Sequence, residues 1–156
     1  MYLALSLQDY KYRFMKILNH SKVSIASVDY AALILRVVAG FLMFYGHGFP
    51  KLKMLFGGGE IQFVDFLGLG VMFTLILTII AEVVCALFLV IGLFTRLSAI
   101  PLIIAMIYAA FVFHAQDDFV QAQEKPILFL VTYIAILLIG PGRYSLDNIV
   151  SFKRKR

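Results

Sequence analysis

This sequence predicts an all-α membrane protein, four transmembrane helices in a bundle behind a short amphipathic N-terminal helix, and three observations carry that prediction. Of its 156 residues, 62% are apolar and 15% charged, whereas soluble domains are about 45–50% apolar. The apolar residues gather into runs at 31–49, 67–94, 97–113 and 126–139. Inside those runs stand two charges, Arg36 and Glu82, each on a helical stripe of small or polar side chains.

In chain order, residues 1–30 form the N-terminal segment. Leu7, Tyr10, Phe14, Ile17 and Leu18 recur at helical spacing, with Lys11, Arg13 and Lys16 elsewhere on the wheel, as in a helix lying on a membrane surface. Asp29 is placed to cap the first span. The membrane domain covers 31–149. A bilayer core of about 30 Å needs roughly 20 helical residues, which the first two runs supply and the third nearly does. The run 126–139 rises only about 21 Å at the α-helical pitch, so a full span there must recruit neighbours or thin the bilayer. Gly46, Gly48, Pro50, Gly57, Gly58 and Gly59 interrupt helical order between the first two runs, and Gly68 and Gly70 loosen the start of the second. Such a loop can fold back toward the membrane. The segment Gly92-Leu93-Phe94-Thr95-Arg96 makes a tight turn, and Pro101 follows early in the third helix, where a missing donor costs least. An acidic loop, 116–124, leads to Pro126 at the start of the fourth helix, and Gly140-Pro141-Gly142 ends it. Residues 150–156 are a basic tail.

Charge placement sets the expected topology. Lys11, Arg13, Lys16 and Lys22 precede the first run, Arg96 lies between the second and third, and Arg143, Lys153, Arg154, Lys155 and Arg156 follow the fourth. The other two loops hold Lys51, Lys53 and Lys125. The positive-inside rule then puts both termini in the cytoplasm and the protein in the plasma (inner) membrane. The net charge of +5 reflects this bias and attraction to anionic headgroups. Basic residues dispersed around membrane segments argue against a nucleic-acid partner. Residues 1–24 lack the uninterrupted apolar stretch of a cleavable signal peptide. Cys85 is the lone cysteine, so neither an intrachain disulfide nor a CxxC redox pair is expected.

Two polar groupings are candidates for function. Arg36, Gly40, Met43 and His47 share one stripe of the first helix, and Thr74, Thr78, Glu82, Cys85 and Ala86 share one of the second. Small and hydroxyl residues favour close helix packing in lipid, so the two stripes are expected to face each other. Arg36 is then the expected ion-pair partner of Glu82, since an unpaired charge at the bilayer centre costs about 3 kcal/mol on insertion scales. The pair has a structural reading, fixing helix register. It also has a functional one, in which Glu82 exchanges a proton or meets a polar ligand. The second grouping follows from topology: His47 and Lys51 end the first helix on the outer side, His114 ends the third there, and Asp117, Asp118, Glu124 and Lys125 lie in the loop beyond. These form either an interfacial rim or the mouth of a ligand pocket. His47 and His114 lack a local metal-ligand motif, and no metal is assigned.

Leu35-Arg36, Gly40, Gly46-His47-Gly48 with Lys51-Leu52, Ala81-Glu82, Gly92-Leu93-Phe94-Thr95-Arg96, and Gly140-Pro141-Gly142 with Ser145-Leu146-Asp147 resemble the motifs of the DoxX family, in order as well as residue type, over about residues 31 to 149. The resemblance implies a small four-helix membrane protein, with Arg36, His47, Lys51, Glu82, Arg96 and Asp147 as family-type polar positions. It also implies an association with quinone-linked oxidation or membrane complexes of oxidative-stress defence. The sequence has no haem-attachment motif, dinucleotide fingerprint or cysteine pair, so an electron carrier must be a diffusible quinone or belong to a redox partner protein.

The leading reading is a redox-associated membrane subunit with a quinone-like pocket: His47, Lys51 and His114 bind, Glu82 relays a proton, and some of the 15 Phe and 8 Tyr line the walls. A noncatalytic scaffold or assembly factor, and a small proton or solute conduit, are the alternatives. No inverted repeat supports the conduit. A homo-oligomer is compatible with all three. The topology has a direct test: in a background lacking Cys85, cysteines at Gln62 and Gln121 should react with an impermeant thiol reagent from outside, and one at Ser98 should not. Outside labelling near both termini would reverse the assignment.

Overall fold

The computed structural model describes residues 7–12, 14, 24–66 and 68–153. Every regular element among the described residues is helical. The first long helix, α1, runs over Ile25–Phe56, α2 over Val71–Ile91 and α3 over Thr95–Phe113. These three are long and apolar enough to cross a membrane. Helix α4, Glu124–Ile139, follows a π-helical turn at Phe119–Gln123, and a short α5 covers Leu146–Lys153. Residues 7–12 and 14 are helical and exposed; Ile17 and Leu18, which complete the expected amphipathic face, lie outside the described residues.

The packing core is a seam to which all four long helices contribute. Ala39 and Met43 come from α1, Ala86 and Leu89 from α2, Leu102 and Met106 from α3, and Leu130, Tyr133 and Ile136 from α4. Outward faces carry Ile34 and Phe41, Phe73 and Ile76, Ile104 and Phe111, Leu128 and Leu138. In water such an exterior would aggregate. On an integral membrane protein it is the surface that meets lipid.

The helices do not run as uniform α-helix. Each of the first three contains a wider π turn, at Phe44–Gly48, Ile80–Cys85 and Ala109–Phe113. A π turn adds a residue to the local repeat and so rotates the face that follows it. On α1 this changes which residues reach the seam. Arg36, Gly40 and Met43 are buried as their spacing predicts, with Ala39 beside them, but beyond them Gly48 takes the buried position and the stripe's last residue, His47, leaves the seam. Helix α2 keeps Thr74, Glu82 and Ala86 inside.

Two glycines set the separation of α1 and α2. A methyl group on Gly40 would sit 2.7 Å from the Ala86 carbonyl oxygen, and one on Gly48 would sit 2.6 Å from that of Glu82. Backbone meets backbone at both places, so neither contact can relax by a rotamer change. Past α1, residues 57–66 fold back over the bundle, a path that the glycine-rich composition allows. Ile61 and Phe63 pack against Leu75, Ile79 and Val83 of α2. The Asp65 carboxylate accepts from the Gly70 amide at 2.8 Å, and the Thr74 hydroxyl accepts from the Phe66 amide at 3.1 Å.

Asp29 does not cap α1. The helix begins at Ile25, well before the apolar run that starts at Ala31, and Asp29 instead accepts a hydrogen bond from the Arg143 amide at 2.8 Å. Glycine positions give a sharp test of the α1/α2 contact. Gly48→Ala should destabilise the bundle by about 1–3 kcal/mol, as overpacking does. Gly46→Ala, two residues away with nothing within 4 Å of the added methyl, should stay within about 0.5 kcal/mol of the parent. Unfolding of both variants in one detergent measures this, and equal effects would refute the close approach.

Candidate functional site

At one end of the bundle Arg36 ties three chain segments together. It is fully buried and donates through Nη1 to the Leu89 carbonyl at 3.3 Å and through Nη2 to the Tyr144 carbonyl at 2.8 Å. Gly92, in the left-handed region at φ 72°, passes so close to the guanidinium that a β-carbon there would collide with Nη1. Asp147 closes the same knot. Its carboxylate accepts from the Phe94 and Thr95 amides at 2.7 and 2.8 Å, while its own amide donates to the Gly92 carbonyl at 2.9 Å. The first turn of α3 is thus capped from 52 residues along the chain, the role an N-cap side chain usually fills locally. Arg96 lies against Gly140, whose φ of 87° also requires glycine.

The opposite end holds a cavity of about 520 Å³, within the range of small-molecule sites. The end of α1, α2, α3, the start of α4 and the folded-back loop all contribute to its wall. Most of the lining is apolar or aromatic, including Phe63, Phe66, Tyr108, Phe113 and Phe129. Phe66 meets Tyr108 edge to face at 4.5 Å, which fastens the loop to α3. His47, Lys51, Glu82 and His114 line this one space, joined by Thr74, Thr78 and Lys125.

Within the wall, Lys51 Nζ donates to a Glu82 carboxylate oxygen at 2.5 Å. The Glu82 side chain is 6% exposed and that of Lys51 17%, so the pair is removed from solvent on the helix side and open on the cavity side. Lys51 also reaches the His47 carbonyl at 3.5 Å. The His47 ring stands edge-on to Phe129 at 5.9 Å. His114 Nδ1 is 2.6 Å from an Asp117 carboxylate oxygen, and Gln123 donates to the His114 carbonyl at 2.6 Å. Among the described residues, no three His, Cys, Asp or Glu side chains group as metal ligands.

The expected Arg36/Glu82 pair is therefore replaced by Lys51/Glu82. The cause is helix register. Counting equal steps away from the loop that joins α1 to α2 sets Arg36 level with Ile91 and Glu82 level with Tyr45. Seven residues of helix, about 10 Å, separate Glu82 from the carbonyl of Leu89 that Arg36 does reach.

The DoxX family model matches residues 31–115. This chain belongs to the DoxX family. A Bacillus subtilis (strain 168) protein named "Putative oxidoreductase CatD" is 29% identical over 130 residues, which cover 83% of this chain and 93% of that protein. No solved structure matches significantly. The matched region of this DoxX protein contains Arg36, His47, Lys51, Glu82, Arg96 and His114. The Gly140-Pro141-Gly142 turn and Asp147 lie beyond it.

Sequence reasoning missed several wall residues of the DoxX cavity. Phe63 and Phe66 sit in a loop whose composition gives no register, and Pro126 reaches the cavity because α4 begins at Glu124, whereas Lys125 lines it as the expected outer grouping placed it. The capping role of Asp147 had one available signal, a carboxylate in a family-type motif, and its place in the first turn of α5 does not by itself point to the start of α3. The pairing has its own test. In a double-mutant cycle with Lys51→Met and Glu82→Gln, the coupling should be about 0.5–3 kcal/mol, whereas Arg36→Gln and Glu82→Gln should be additive within about 0.5 kcal/mol. Coupling confined to the Arg36 cycle would restore the rejected pair.

Proposed function

We propose that this DoxX protein is the quinone-binding membrane subunit of an oxidoreductase system, and that its cavity holds the quinone ring. One observation carries the reading: an ion pair, Lys51/Glu82, stands in the wall of an otherwise largely aromatic and aliphatic cavity of about 520 Å³. A structural ion pair needs no adjoining space. A pair facing an enclosed volume can donate to a ligand and exchange protons with it. The name of the Bacillus subtilis relative supports the same class of chemistry.

A bound quinone would supply a two-electron, two-proton couple, with the electrons coming from a redox partner protein. The residues of this chain have the remaining tasks. Lys51 and His47 donate to the ring carbonyls and set the orientation of the ring. The aromatic walls exclude water and stack on it. Glu82, a carboxylate beside Lys51 at rest, would take up each proton from the water side of the cavity and hand it to a carbonyl oxygen of a quinone held there, returning after each of the two transfers to the carboxylate that Lys51 stabilises. His114, held by Asp117 at the rim, lies where protons and ligand arrive. The apolar helices fit a plasma-membrane location with both termini in the cytoplasm, and α4 with its preceding π turn serves as the fourth span. Arg36, Arg96 and Asp147 belong to the architecture of the other end and not to this chemistry.

The test is quinone content after purification in mild detergent, measured by solvent extraction and chromatography. Near-stoichiometric quinone is expected in the parent, with Lys51→Ala and His47→Ala each lowering it at least about tenfold while the protein stays folded. Glu82→Gln should keep most of the bound quinone and lose proton-coupled reduction, because an amide keeps the shape without a titratable proton. A quinone-free parent that co-purifies stoichiometrically with a partner protein would favour the scaffold, and proton flux in liposomes would favour the conduit.

A further inference from the structure

A second hollow lies on the other side of Phe129. It is a groove of about 370 Å³ between α1 and α4, lined by Ile34, Leu35, Val38, Leu42, Leu128 and Thr132, together with Ala39, Lys125 and Phe129. Lys125 and Phe129 also line the main cavity. The two spaces therefore share a wall one side chain thick. That wall is an aromatic ring resting on neighbours it can slide against: Phe129 stands edge-on to His47 at 5.9 Å and stacks on Tyr133 at 5.9 Å.

We infer that the groove is the tail subsite of the same ligand, so that the chain takes a long-tailed, lipophilic quinone and not a tailless one. This rests on the proposed function above. Polarity separates the two spaces as an amphiphile would require. The cavity holds His47, Lys51, Glu82 and His114, whereas the groove is apolar apart from Thr132, whose hydroxyl already donates to the Leu128 carbonyl at 2.8 Å, and Lys125 at its shared end. From Ile34 to Leu42 the groove follows α1 for about 12 Å, the reach of a chain of roughly ten carbons. Joining the ring site to the groove would require the Phe129 ring to rotate and no helix to move, a side-chain change that is fast compared with a shift of packed backbone. A phospholipid acyl chain would suit the groove's apolarity but gives no role to the single side-chain wall that it shares with a polar cavity.

A benzoquinone bearing a decyl tail with a terminal diazirine distinguishes these occupants. Photolysed with the full-length protein in phosphatidylcholine liposomes and mapped by mass spectrometry, it should label residues 34–42 and 128–132. Excess tailless benzoquinone, competing only for the ring site, should reduce that labelling at least about fivefold. Lys51→Ala should reduce it similarly, and Val38→Phe, which fills the groove, should abolish it while leaving tailless quinone binding unchanged. Labelling spread evenly over the lipid-facing helices, or groove labelling that tailless quinone and Lys51→Ala leave intact, would overturn the tail subsite. If tailless quinone still bound in a Lys51-dependent way in that case, the ring site would stand alone; if it did not bind at all, the proposed function would fail as well.

Discussion

A carboxylate placed in the middle of an apolar helix constrains everything around it. Glu82 must be paired, and the residue that pairs with it, Lys51, reaches it from the far end of α1. For a lysine stem to span that gap the two helices must lie close. They do so because Gly48 presents bare backbone to the Glu82 carbonyl and Gly40 does the same to Ala86. The π turns at Phe44–Gly48 and Ile80–Cys85 sit at this contact. Each rotates its helix enough to bring the polar side chain to the wall while the small residue stays in the seam. Close packing and polar placement are thus one requirement, met by the same two turns.

The bundle divides its polar residues between two tasks. Arg36, Gly92, Arg96, Gly140 and Asp147 fix one end, where chain segments converge and carbonyls and amides need partners. A guanidinium suits that work because its fork of donors can serve two carbonyls at once, and Leu89 and Tyr144 supply them. His47, Lys51, Glu82 and His114 occupy the other end, where the folded-back loop encloses space instead of filling it. The resemblance of the sequence motifs to those of the DoxX family joins most of these residues, His114 apart, without distinguishing the two sets. Structure separates them into residues that hold the fold and residues that face the cavity.

Much of this was legible in the sequence, for identifiable reasons. Apolar runs fixed the first three long helices because length and composition alone decide which segments suit a membrane. The gathering of His47, Lys51, Glu82 and His114 followed from which helix ends share a face. What failed was anything needing register. Arg36 and Glu82 were matched by charge, although an antiparallel hairpin about the loop sets them far apart, a count the sequence permitted. The shift of the buried face from His47 to Gly48 depends on a π turn, which leaves no pattern in residue type. Phe63 and Phe66 depend on how a glycine-rich loop returns, and no local periodicity encodes that path.

The account stands or falls on the contact between Lys51 and Glu82. Solid-state NMR of the protein in lipid, with ¹⁵N-labelled lysine and arginine side chains and ¹³C-labelled glutamate carboxyl groups, measures it without altering a residue of the parent. The Lys51 signal would be assigned from its disappearance in Lys51→Arg and the Glu82 signal from its disappearance in Glu82→Gln. Dipolar recoupling should show the Lys51 Nζ within salt-bridge distance of the Glu82 carboxyl and no coupling from the Arg36 guanidinium to that carboxyl. A Glu82 carboxyl coupled to Arg36, or to no labelled nitrogen, would contradict the arrangement of α1 on α2 and with it the cavity described here.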